Sequence, residues 1–227
     1  MLTTACVAVA LLPACSHSKE TSTALPAAPG LLREASRVMA GVQTVRFTLH
    51  VQGEIGGVPV RSAVGVLTSD GSASGTAELE EGGSLVEFDV VIVKGTIYLK
   101  GPTGGFQEIP SFLAGSIYDP TELLDPQAGL SRLLATASRA RTVGSETVGD
   151  TPAYRVNATL DGKVLSTLVP TPSEEDAPSV LWIAADTSQL VKVQATLAQS
   201  TDGETAPSVV LLELTDFDVP VTITPPG

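Results

Sequence analysis

Apolar and polar positions alternate one by one along most of this chain, with one long interruption. Over residues 45–52 the alternation is complete, which predicts a strand with one apolar and one polar face. Stretches 58–67, 74–80, 86–93 and 96–100 continue it. They are broken at Gly56-Gly57, Asp70-Gly71, Gly82-Gly83 and Lys94-Gly95, residue pairs that suit tight turns. In 86–93, Phe88, Val90 and Ile92 share one face while Val91 and Val93 leave the other apolar as well. A second set of alternating stretches follows at 141–148, 153–160, 179–184, 190–197 and 207–217, punctuated by Gly149-Asp150, Asp161-Gly162 and Asp202-Gly203. A last edge strand is expected at 219–224.

Two segments change period to that of a helix. Leu31, Leu32, Ala35, Val38 and Met39 fall on one helical face, with Gly41 as the stop. Between the two strand sets, residues 118–141 form the larger interruption. Asp119-Pro120 and Asp125-Pro126 each read as an N-cap carboxylate followed by a proline preset for the first helical position. Leu130, Leu133, Leu134 and Ala137 then recur at i, i+3, i+4 and i+7, with Arg132, Arg139 and Arg141 off that stripe. A shorter amphipathic piece occupies 163–171, before a loop rich in proline and acid. The order helix, strands, helical island, strands predicts an α+β fold: one large antiparallel sheet, made from both halves of the chain, with helices packed on one face. So many strands accumulate twist and curl. The concave side is then either a packed core or a gap lined by aliphatic side chains.

Composition narrows what such a fold can do. At 227 residues and 43% hydrophobic, the chain fills the core of one domain, yet only 4% of its residues are aromatic. A formal net charge of -12 argues against a general affinity for nucleic acid or for anionic membrane surfaces, both of which favour clusters of Lys and Arg. Catalytic constellations are missing from the pattern. His17 lies in a polar, aperiodic stretch and His50 on the polar face of a strand. Ser16-His17-Ser18-Lys19 has a Ser-x-x-Lys spacing without its supporting motifs, and Glu80-Glu81 and Glu174-Glu175-Asp176 read as solvated turns rather than metal ligands or an acid/base pair. No enzyme activity, metal or cofactor is expected.

The N-terminus carries a more specific signal. A short apolar run at 7–12 leads into Leu12-Pro13-Ala14-Cys15, which resembles a bacterial lipobox, the site where a cysteine thiol is diacylated and the leader is cut off before it. The other reading is a short buried apolar segment with a chance cysteine. No Lys or Arg precedes the run, so the natural start is expected upstream of Met1. Cys6 and Cys15 are the two cysteines, so removal of residues 1–14 as a signal peptide and acylation of Cys15 would leave no free thiol. Residues 15–30 read as a flexible tether, and 31–227 as the single folded domain.

A family resemblance runs through the same residues. Ile117-Tyr118-Asp119-Pro120, Leu123-Leu124-Asp125-Pro126 and Gly129-Leu130 resemble the central signature of the LppX/LprA/LprF/LprG lipoproteins of mycobacteria and their relatives. Residues 144–156 resemble the segment after it, and Ser179-Val180-Leu181-Trp182-Ile183 resembles a Trp-Ile strand of that family. The resemblance extends from the first helix to Val221 and implies a half-barrel sheet, shaped like the LolA and LolB carriers, with helices over its concave face around a hydrophobic cavity. It implies a monomeric, lipid-anchored carrier at the outer face of the cytoplasmic membrane. The ligand implied is an acylated lipid or glycolipid, such as a phosphatidylinositol mannoside, a lipoglycan or triacylglycerol, with a transporter of the major facilitator type as candidate partner. The other class left open is a non-carrier surface lipoprotein that serves as an adaptor for a membrane transporter or the cell wall. By alternation and by the resemblance, the cavity is assigned to Val45, Phe47, Leu49, Ala77, Phe88, Val90 and Ile92 from the sheet and Leu130, Leu133 and Leu134 from the island, with ordinary core packing as the alternative for each.

Overall fold

Complete alternation at Val45 to Gln52 becomes a strand at the centre of the sheet, where the two ends of the chain meet. The computed structural model describes residues 24–53, 55, 59–109, 120–168, 174–197 and 207–227. The leader, Cys15, Asp119 and the turn pairs Gly56-Gly57 and Asp202-Gly203 lie outside them. Strands β1 (Thr44–Gln52), β2 (Val60–Thr68), β3 (Ala73–Glu81), β4 (Ser84–Val93), β5 (Thr96–Lys100) and β6 (Gln107–Ile109) form one meander. A second comprises β7 (Ser138–Val148), β8 (Thr151–Leu160), β9 (Ala177–Ala184), β10 (Leu190–Leu197) and β11 (Ser208–Thr215).

Pairing of β1 with β11, Phe47 opposite Leu214 and Leu49 opposite Leu212, joins the meanders into one antiparallel sheet. Its order is β6-β5-β4-β3-β2-β1-β11-β10-β9-β8-β7. The sheet is open and curved, as expected. Register shifts at Val60/Ser62, Leu190/Lys192, Ser138/Arg141 and Thr142/Gly144 supply local bends. The first of these also matters chemically: by turning Arg61 to the side of Glu80, with which it pairs, it keeps a guanidinium off the apolar face.

Among the described residues three α-helices and one 3-10 turn cross the concave side. Helix α1 (Ala28–Met39) buries Ala28, Leu32, Ala35 and Met39, so the boundary placed at Leu31 falls inside it. A 3-10 turn, η1, spans Pro120–Leu124 and buries Leu123 and Leu124. Helix α2 is Leu130–Thr136 and α3 is Gly162–Leu168.

Three expectations need correction. The helical island does not run on to residue 141: α2 ends at Thr136 and β7 begins at Ser138, three residues before the strand expected at 141–148, because the chain must leave the concave face to reach the sheet edge. Asp125-Pro126 begins a turn rather than the helix. The Asp125 carboxylate accepts from the backbone N–H groups of Gln127 and Ala128 at 2.7 and 2.8 Å, and α2 starts only after Gly129. Glycine is required there, since a Cβ would lie 2.4 Å from the Leu123 carbonyl oxygen. Residues 219–224 form no strand. Pro220 removes a backbone donor, and the segment leaves the sheet after Thr44 Oγ1 donates to the Val219 carbonyl at 2.7 Å.

Asp161-Gly162, expected as a break between strands, is the start of α3. The Asp161 carboxylate accepts from the N–H groups of Lys163 and Val164. The acidic loop assists, as Asp176 accepts from the Gly162 N–H at 3.1 Å.

Candidate functional site

Antiparallel register sets the concave face as a series of rows running across the strands. One row reads Leu214, Phe47, Gly65, Gly75, Val90, Leu99. The next reads Leu212, Leu49, Ala63, Ala77, Phe88. In both rows large side chains stand on either side of small ones. Gly65 and Ala63 of β2, with Gly75 and Ala77 of β3, therefore form a strip of small residues, a trough in side-chain height, between Phe47 and Leu49 on one side, with the Phe47 ring against Gly65, and Phe88 and Val90 on the other.

The glycines of that floor are dictated by close approach. A Cβ on Gly75 would lie 2.2 Å from the Val64 carbonyl oxygen, and one on Gly65 would lie 2.5 Å from that of Ser74 and 3.0 Å from the Phe47 ring. Backbone atoms cannot yield as a flexible side chain can, so any larger residue would push β2 and β3 apart.

The ten predicted residues separate into two groups. Val45, Phe47, Ile92, Leu130, Leu133 and Leu134 are buried in the main apolar cluster, with Val45 at 0% exposure. Leu49, Ala77, Phe88 and Val90 are half-buried, and all four sit on the trough rows. Helix α2 packs on α1, where the Ser36 hydroxyl donates to the Ser131 carbonyl at 2.8 Å, so its leucines seal the covered part of the concavity. Sequence reasoning missed Ala63, Gly65, Gly75 and Leu99. The signal for them was the run of small residues at alternate positions of β2 and β3, which a search for bulky apolar residues passes over.

Among the described residues no group of three metal-ligating side chains occurs, and no buried side-chain nitrogen or oxygen lacks a hydrogen-bond partner. His50 is exposed on the other face of β1, opposite Ser62 and Leu211. The charged pairs Arg61–Glu80, Lys100–Asp89 and Lys192–Glu213 lie on the convex face. On that side a second small cluster forms from Ala153, Trp182, Ala184 and Val191, with Trp182 donating to the Glu146 carboxylate and lying under the Lys192 ammonium.

Residues 27–223 match the model of the LppX_LprAFG lipoprotein family. A protein of Mycolicibacterium smegmatis named lipoarabinomannan carrier protein LprG is 32% identical over 97% of this chain and 92% of its own length. One of the same name from Mycolicibacterium hassiacum is 32% identical over 97% and 94%. Among solved structures, LprF of Mycobacterium bovis superposes with a TM-score of 0.75 at 22% identity, covering 88% of this chain and 96% of that one. LppX of Mycobacterium tuberculosis gives 0.65 at 18% identity, covering 87% and 98%.

Proposed function

Because this chain belongs to the LppX_LprAFG lipoprotein family, we propose that it is a carrier whose concave trough binds the acyl chains of a lipid or glycolipid. The supporting observation is the set of half-buried apolar side chains Leu49, Phe88 and Val90 on either side of a floor of small residues, Ala77 included. Relatives of this chain are named for carrying lipoarabinomannan, an acylated glycolipid, and that class of ligand suits an aliphatic trough.

Energetics explain why such a trough suffices. An acyl chain of ~16 carbons costs on the order of 12 kcal/mol to hold in water, at about 0.8 kcal/mol per CH₂. Dry aliphatic walls offset most of that without directional bonds, so selection rests on trough volume and on the groups at its mouth. Acylation of Cys15 would tether the domain to the outer face of the cytoplasmic membrane, from which it carries lipid across the envelope. Among the described residues no helix is long and apolar enough to cross a membrane itself.

The test is direct. The chain with Cys15→Ala, purified without detergent, is examined by native mass spectrometry and by organic extraction after denaturation. Co-purifying acylated lipid, or saturable uptake of a fluorescent acyl probe, is the expected outcome. Recovery of the bare chain with no uptake would remove the carrier reading.

A further inference from the structure

We propose that Arg132, Arg139 and Arg141 form a docking edge for the anionic headgroups of a membrane surface, at the place where the chain from Cys15 enters the fold. Placement of this edge beside a membrane rests on the lipid-anchor reading of Cys15; its affinity for anionic lipid does not. Between Asp125 and Glu146 the sequence holds these three arginines and no carboxylate, within a chain of net charge -12. All three are exposed. Elsewhere Arg37, Arg46, Arg61, Lys100, Arg155 and Lys192 each pair with a carboxylate. Among the described residues the three arginines pair with none; of the other cations without a carboxylate partner, Arg33 donates to the Pro29 carbonyl on α1, and Lys94 and Lys163 stand singly in other parts of the fold.

Backbone geometry turns this stretch outward. Strand β7 is an edge of the sheet, and α2 runs into it through Ala137. Ser138 pairs with Thr159 and Arg141 with Asn157, so Arg139 and Ala140 together face the single residue Ala158 in a bulge. Ala140 packs on the core, while Arg139 takes φ +53, a left-handed conformation that side-chain-bearing residues adopt uncommonly. Arg141, opposite Asn157, lies on the face away from the core.

The approach of the tether lies beside these residues. Thr142 Oγ1 donates to the Pro26 carbonyl at 2.6 Å, which fastens the chain before α1 to the residue after Arg141. From Cys15 to Pro26 is 26 − 15 = 11 residues. Eleven residues span at most roughly 37 Å. A diacylated Cys15 would therefore hold this edge close to the headgroups. With a Debye length of about 8 Å the carboxylates that compete are the near ones, Asp161 after β8 and Asp176 before β9, and both are engaged with backbone N–H groups at the start of α3. The planar, bidentate donors of the arginines match lipid phosphates.

Flotation of the Cys15→Ala chain with vesicles tests the edge without using the anchor. Phosphatidylcholine vesicles are compared with vesicles containing phosphatidylglycerol as about a third of their lipid. The chain is expected to float with the anionic vesicles, not the neutral ones, and to be released by salt. Arg132→Gln with Arg141→Gln should lower partitioning about 25-fold, and adding Arg139→Gln about 100-fold, at roughly fivefold for each arginine. Thermal unfolding confirms that each variant folds, and the double variant, which leaves the strained position intact, carries the test if the triple does not. Equal flotation of parent and double variant, equal binding to neutral vesicles, or binding to polyglutamate without binding to vesicles would overturn the proposal. Membrane fractionation of the acylatable chain against Cys15→Ala reads the anchor separately.

Discussion

Two parts of one sheet use similar aliphatic strands and end in different states. In β9, inner positions Leu181 and Ile183 are 0% exposed, and β8 alternates buried Val156, Ala158 and Leu160 with more exposed neighbours. In β3 and β4 the matching positions, Ala77, Leu79, Phe88 and Val90, stay half-buried. Strand chemistry does not account for this, since Phe88 and Val90 are as apolar as Leu181 and Ile183. Coverage does. Among the described residues helices α1 and α2 pack chiefly against β7, β8 and β9, and η1 against β2, while the inner side chains of β3 and β4 stay partly exposed. Among the described residues, burial in this fold thus follows the element laid over a strand.

Three substitutions sharpen or break that contrast. The largest effect is expected where coverage is complete: Leu134→Ala, at 2% exposure, should cost about 2–5 kcal/mol in urea unfolding and leave a cavity in the sealed part. A loss below 0.5 kcal/mol would show that α2 does not seal the core. In the trough, Ala77→Trp should reduce acyl-probe uptake about tenfold, equal to about 1.4 kcal/mol, while changing stability less than Leu134→Ala does. Unchanged uptake would move the binding surface away from β3. Leu133 is a poorer position for a filling residue, because at 3% exposure a tryptophan there would overpack the core.

The smallest effect concerns acid. Asp70 sits in the β2–β3 turn, where hydrogen bonds from the Thr68 hydroxyl and then from Ser72 lower its carboxyl pKa. A depressed folded-state pKa contributes stability above the unfolded value near ~3.9, and that contribution is lost as pH falls through the folded pKa. Amide exchange in β2 and β3 should therefore accelerate below about pH 4 relative to β8 and β9, and Asp70→Asn should flatten the difference. Identical acid profiles for the two strand pairs in the parent chain would count against this role for the turn.

Local signals carried much of the fold. Asp70-Gly71, Gly82-Gly83 and Lys94-Gly95 mark turns with positive φ at Gly71, Gly82, Gly83 and Gly95, and the alternation at 45–52 became a strand of the expected faces. Errors arose where one stretch had to serve two surroundings. Ser138 to Ala140 come directly after the helical stripe and read as part of the island, yet the chain at that point already forms the edge strand. Val219 to Thr224 alternates well, but Pro220 and the hydrogen bond to Thr44 end the ladder.

Candidate site residues were legible as apolar and as facing one way. Which of them close the core and which line the trough was not, because Phe47 and Phe88 look alike in sequence. Only the cross-strand neighbours distinguish them, and these come from the pairing of β1 with β11 and from the small residues of β2 and β3.

What the sequence by itself determined is therefore periodic and local: strands, turns, an α+β order, a concave apolar face and the family signature at residues 117–130. Tertiary structure alone decided that the two chain ends pair at the sheet centre, that α2 stops at Thr136, and that small side chains meet across β2 and β3 to open a trough. The physical reason is range. Alternation and turn propensity are set by neighbours a few residues apart, whereas coverage and cavity shape depend on which distant segments are brought against the same face.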